Sequence, residues 1–81
     1  MDAIKKIIEA HGGENIKGYS LISNYGYTFI LKGLKCDLRY WANCYGVALN
    51  YWRIHTTGEQ KANDEQRAII KAIENEANGT R

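Results

Sequence analysis

Apolar positions recur at helical spacing at both ends of the chain. Over residues 2–11, Ile4, Ile7 and Ile8 form one stripe while Lys5, Lys6 and Glu9 lie across from it; Asp2 is placed to cap the segment and Gly12-Gly13 to stop it. Toward the other end, Ala68, Ile69, Ala72 and Ile73 share a face, with Ile70 and Ala77 at its margin. Asn63 and Gln66 have capping-box spacing, Asp64 and Glu65 suit the positive end of a helix dipole, and Asn78-Gly79 supplies the stop. Two amphipathic helices are therefore expected to begin and end the chain.

Between them the period shortens. Residues 17–23 and 27–33 are rich in β-branched and aromatic side chains, and Asn24-Tyr25-Gly26 suits a short loop, so a β-hairpin is predicted with Tyr25 at its tip. In its second strand Tyr27, Phe29 and Leu31 share the face assigned to the core, and Thr28, Ile30 and Lys32 share the other.

Residues 35–58 admit more than one period. Asp37 can cap a helix on which Leu38, Trp41, Ala42 and Tyr45 fall at i, i+3, i+4 and i+7; Gly46 ends it and Val47 can fold back on its last turn. Over residues 47–56 a helix gathers Ala48, Tyr51, Trp52 and His55, whereas a strand alternates Val47, Leu49, Tyr51 and Arg53 with Ala48, Asn50, Trp52 and Ile54. The helix is the favoured reading. The expected fold class is then α+β in a single small domain spanning residues 1–81: an N-terminal helix, an antiparallel hairpin, two short helices and a C-terminal helix. If residues 47–56 form a strand, the sheet gains a third strand and loses a helix.

On Trp41, Ala42, Gly46, Val47 and Trp52 the segment resembles the helix-turn-helix family of DNA-binding modules, including the small ones appended to phage homing endonucleases; His55 departs from the apolar residue the pattern wants. The resemblance implies a non-enzymatic, phage- or mobile-element-encoded module whose second helix enters the major groove of duplex DNA. Asn50 and Arg53 would then read base edges, Lys35, Arg39 and Lys32 would meet phosphates, and His55, Thr56 and Thr57 would add weaker contacts.

Charge supports this only mildly. The 11 Lys and Arg against 9 Asp and Glu give a net +2, short of the footprint of a strongly basic nucleic-acid binder. The excess is concentrated in residues 34–57, where Lys35, Arg39 and Arg53 face Asp37 alone. A homodimer, or attachment to a larger assembly, is the usual remedy for weak binding by one copy.

Catalytic chemistry finds little material. Cys36, Cys44, His11 and His55 do not have the spacing of a catalytic signature, and the seven residues between the cysteines depart from the usual zinc-ligand spacing. No catalytic residue, metal or cofactor is expected, and no apolar run approaches the roughly 20 residues needed to cross a bilayer. A cytoplasmic protein with reduced thiols and no membrane partner is expected.

Six tyrosines and two tryptophans exceed what so small a core can hold, and exposed tyrosines anchor protein interfaces. The alternative function is therefore a protein–protein inhibitor or adaptor that blocks a larger host protein, with Tyr25, Tyr40 and Tyr51 at the interface. Phage-encoded inhibitors, anti-CRISPR proteins among them, are often of this size.

Overall fold

Four strands, β1 (Glu14–Ser20), β2 (Asn24–Leu31), β3 (Leu34–Trp41) and β4 (Tyr51–Thr56), pair in chain order into one antiparallel sheet, with helix α1 (Ala3–Ala10) before it and helix α2 (Asp64–Gly79) after it. The computed structural model describes residues 2–22, 24–41 and 51–79. Both helices contribute to the same core. Ile4 and Ile8 of α1 meet Ile73 and Ala77 of α2 over Phe29, Leu31, Leu34, Cys36, Leu38 and Trp52 of the sheet. Ile8, Leu31, Leu38 and Ile73 are almost wholly enclosed, each stabilising the fold by about 1.5–3 kcal/mol.

The predicted helix-turn-helix is overturned, because residues 34–41 and 51–56 are strands. The side chains that fit a helical stripe also fit a period of two, and pairing with β2 selects it. Leu34, Cys36, Leu38 and Tyr40 stand opposite Leu31, Phe29, Tyr27 and Tyr25, so both strands turn an apolar row to the helices. Asp37 is accordingly a mid-strand residue and caps no helix. In β4 the alternation of Trp52 and Ile54 with Arg53 replaces the expected second helix. The turn between the expected helices lies outside the described residues.

The predicted hairpin also moves. Asn24, Tyr25 and Gly26 belong to β2, and the chain turns before them at Leu21 and Ile22, with the Leu21 amide donating to the Asn24 carbonyl at 2.7 Å. The next turn is a tight one. Lys32 and Gly33 alone join β2 to β3, with φ of 49° and 86°, as a two-residue turn matched to the right-handed twist requires.

The two terminal helices stand close to where their patterns put them. The Asp2 carboxylate accepts from the Ile4 amide at 2.9 Å to cap α1. At the start of α2 the Gln66 amide donates to Asn63 Oδ1 at 2.7 Å while the Asn63 amide donates to Gln66 Oε1 at 2.9 Å, a complete capping box. Gln66 is buried because its Nε2 also donates to the carbonyls of Leu31 and Lys32, fastening α2 to the β2–β3 turn. The stripe of α2 is rotated from expectation. Ala77 is enclosed and Ala68 exposed, since the helix must also face α1, to which Glu76 is tied by an ion pair with His11.

Candidate functional site

With the helices on one face of the sheet, every second residue of each strand is turned to the other, outer face. Strand register arranges these residues in rows. Lys17, Thr28, Asp37 and His55 form one row, Tyr19, Gly26, Arg39 and Arg53 the next on one side, and Ile30, Lys35 and Thr57 the next on the other. Four cations thus share these rows with two carboxylates, Asp37 in the central row and Glu14 opposite Ile30, and Lys17, Lys35 and Arg53 are exposed.

The central carboxylate, Asp37, is already engaged. Tyr19 donates its hydroxyl proton to Asp37 Oδ1 at 2.7 Å, Arg39 Nη2 donates to Asp37 Oδ2 at 2.7 Å, and Arg39 Nε donates to the Tyr19 hydroxyl oxygen at 3.2 Å. This closed triangle explains why Asp37 is 7 % exposed in the middle of a polar face: its oxygens are satisfied by charge-assisted bonds. The bonds to Asp37 and then to Tyr19 hold the Arg39 guanidinium more firmly protonated. Burial, reinforced by the bond to Asp37, pushes the Tyr19 phenol above its ordinary range.

Gly26 allows β2 and β3 to approach beneath Tyr19. A Cβ built at this position would stand 2.2 Å from the Leu38 carbonyl oxygen. Across the sheet, His55 is held below its usual pKa by burial first and then by the charges of Arg39 and Arg53. Burial thus disfavours the imidazolium, and the same cations that give the face its charge add to that effect.

Of the residues named for nucleic-acid contact, Lys35, Arg39, Arg53 and His55 come together on the outer face, although from strands and not from a helix-turn-helix. Arg53 does not lie on a recognition helix, and Asn50 lies outside the described residues. Lys32 is drawn off to the β2–β3 turn, where it pairs with Glu65 of α2. Sequence reasoning missed Lys17, Tyr19, Thr28 and Asp37, whose outward alternation in β1 to β3 was the available signal.

The three tyrosines named for a protein interface do not share one surface. Tyr25 and Tyr40 stack beside Trp52 on the helix side, with ring centroids 5.1 Å apart, whereas Tyr51 alternates with Trp52 and takes the opposite face. Tyr25 stands in β2 beside the turn, not at its tip. Among the described residues the strongest apolar exposure lies at Leu21 and Ile22, at 63 % and 107 %.

Thiol chemistry has no support at Cys36, which is buried in the core with its pKa pushed up to about 11 by desolvation. No helix among the described residues is long and apolar enough to cross a membrane. No family model, curated protein or solved structure matches the chain.

Proposed function

We infer that the protein is a non-catalytic nucleic-acid-binding module whose outer sheet face lies against the phosphate backbone. The observation that carries this reading is the gathering of Lys17, Lys35, Arg39 and Arg53 on one face, whose central carboxylate, Asp37, is already neutralised within the Tyr19–Asp37–Arg39 triangle. Four of the five acids of residues 58–81, Asp64, Glu65, Glu74 and Glu76, belong to α2 on the other layer, and Glu59 precedes it.

The shape of the face sets the mode of binding. Four strands at about 4.8 Å spacing are broader, with their side chains, than the roughly 12 Å major groove, so the sheet meets the backbone from outside instead of entering the groove. Such contacts position a protein and carry little sequence information. The modest net charge agrees with a weak interaction resting on few phosphates.

Fluorescence anisotropy against random-sequence duplex and single-stranded DNA, titrated with salt, tests this. With Arg39 engaged by Asp37, three phosphate contacts from Lys17, Lys35 and Arg53 give a slope of log affinity against log salt of about −2.7 on duplex and about −2.1 on single strands. Arg53→Ala and Lys17→Ala should each reduce the slope by about one unit with folding intact. No binding at low salt would remove the reading.

Binding of a larger protein is the second reading, supported by the full exposure of Ile22 beside Leu21 at the β1–β2 turn. It predicts a complex that survives nuclease and moderate salt and is lost in the Leu21→Ser, Ile22→Ser double variant. Dissociation on nuclease treatment would count against it.

A further inference from the structure

Beside the Lys17–His55 row, on the side away from Arg39 and Arg53, the outer face is hollowed. The pairing of β1 with β2 slips between Glu14 and Lys17, and Asn15 takes a left-handed backbone with φ of 53°. A bulge of this kind inserts an extra residue and bends its strand, and asparagine is among the few side chains that tolerate the conformation. There the sheet holds a concavity of about 290 Å³ whose lining includes Asn15, Lys17, Thr28, Ile30, Lys35 and Thr57.

We propose that this concavity is a binding site for a phosphate monoester, a proposal that rests on the reading of the outer face as a phosphate-binding surface and gives it a specific subsite. Lys17 and Lys35 reach it from strands on either side of β2 and have no ion-pair partner among the described residues. Glu14 stands opposite Ile30 but does not line the concavity. Two ammonium groups, the hydroxyls of Thr28 and Thr57 and the Asn15 amide suit a group with three acceptor oxygens and a charge of about −1.5 to −2, which is a monoester near neutral pH. An internal diester has one charge and two free oxygens, and would leave part of this donor set unused.

The volume adds to the assignment. It lies at the lower end of ligand-sized pockets, roughly 300 Å³, and so exceeds what a bare anion needs. Ile30 offers an apolar wall for the sugar on which the phosphate is carried. That sugar belongs either to the end of a strand or to a free mononucleotide.

The test is a chemical-shift titration of the isotope-labelled protein with three probes: a short 5′-phosphorylated DNA strand, the same strand ending in a 5′-hydroxyl, and a nucleoside 5′-monophosphate. The amides of Asn15, Thr28 and Thr57 should move with a monoester-bearing probe and stay still with the hydroxyl strand, whose internal phosphates move Lys17, Lys35, Arg39 and Arg53 instead. A response to the phosphorylated strand alone assigns a strand terminus, and a response that includes the mononucleotide assigns the free ligand as well. The phosphorylated or mononucleotide probe that binds should lose about tenfold in affinity when Lys17→Ala and Lys35→Ala are combined. Equal movement with the hydroxyl strand, or none with either phosphorylated probe, would overturn the proposal. Failure of the broader reading is seen elsewhere, as amides of Tyr19, Arg39 and Arg53 that ignore the hydroxyl strand whatever the concavity does.

Discussion

Asn78 of α2 bonds to the backbone of Trp52 in β4 as a neighbouring strand would: the Trp52 amide donates to Asn78 Oδ1 at 2.7 Å, and Asn78 Nδ2 donates to the Trp52 carbonyl at 3.1 Å. One helical turn earlier, Glu74 accepts from the Ile54 amide at 2.7 Å. The edge of β4 is thereby paired by side chains of the helix that follows it, which removes a free edge that could recruit another chain.

Asn78→Ala should therefore destabilise the fold by about 1–3 kcal/mol, because it leaves the half-buried amide and carbonyl of Trp52 without these partners. Urea unfolding measures this. The same variant should associate at high concentration, visible by sedimentation. An unchanged midpoint would show that the two bonds are replaced by water without cost.

Gly26→Ala tests the close approach of β2 to β3. The added methyl meets backbone, the Leu38 carbonyl oxygen, and no flexible side chain can give way. The strands must part or twist locally, at a cost of about 2–4 kcal/mol. Gly33→Ala is the informative comparison, since nothing stands near its Cβ and its penalty arises from φ alone, about 1 kcal/mol. Equal losses at the two positions, read from thermal midpoints, would argue against the steric account at Gly26.

The parts of this fold that were legible in the sequence are those decided within one turn or one strand. Asp2 and Asn63 announce their helices because a cap acts on amides two or three residues away. Tyr27, Phe29 and Leu31 reveal an inner face because their alternation is unbroken. Residues 34–41 and 51–56 were misread because Leu38, Trp41, Ala42 and Tyr45 satisfy a helical period while Leu34, Cys36, Leu38 and Tyr40 satisfy a strand period. The choice is made by pairing with β2, a contact that no local pattern contains. Lys35, Arg39, Arg53 and His55 were named through a helix that does not exist, and they meet because alternation puts them on the outer face. The Tyr19–Asp37–Arg39 triangle joins residues 18 apart through strand register, so its members could not be associated beforehand.

That triangle separates stability from binding. Asp37→Asn keeps the shape of the side chain but removes the charge that Arg39 and Tyr19 are bonded to. The fold should lose about 1–2 kcal/mol, as expected for a charge-assisted bond replaced by a neutral one. Affinity for DNA at low salt should instead rise about two- to fivefold, because the face sheds its central negative charge. Opposite signs in unfolding and anisotropy measurements support the outer-face reading; a fall in both would reduce Asp37 to a structural residue.

His55 makes the same face sensitive to pH. Burial, then the charges of Arg39 and Arg53, lower its pKa in the folded protein below the ordinary value of 6.5. The unfolded chain thus binds the proton more readily, so stability declines as pH falls below about 6.5 and levels off once the folded-state pKa is passed. Phosphate laid across Arg39 and Arg53 offsets the charges that repel the imidazolium, so the complex takes up the proton that the free protein resists. Affinity for DNA should accordingly rise as pH falls through about 6.5 toward the lowered folded-state pKa, the same range in which the free protein becomes less stable. His55→Gln should abolish both trends while keeping binding at the higher pH. Urea unfolding and anisotropy over the same range decide it, and a flat affinity profile in the unmodified protein would place the bound phosphates away from this histidine.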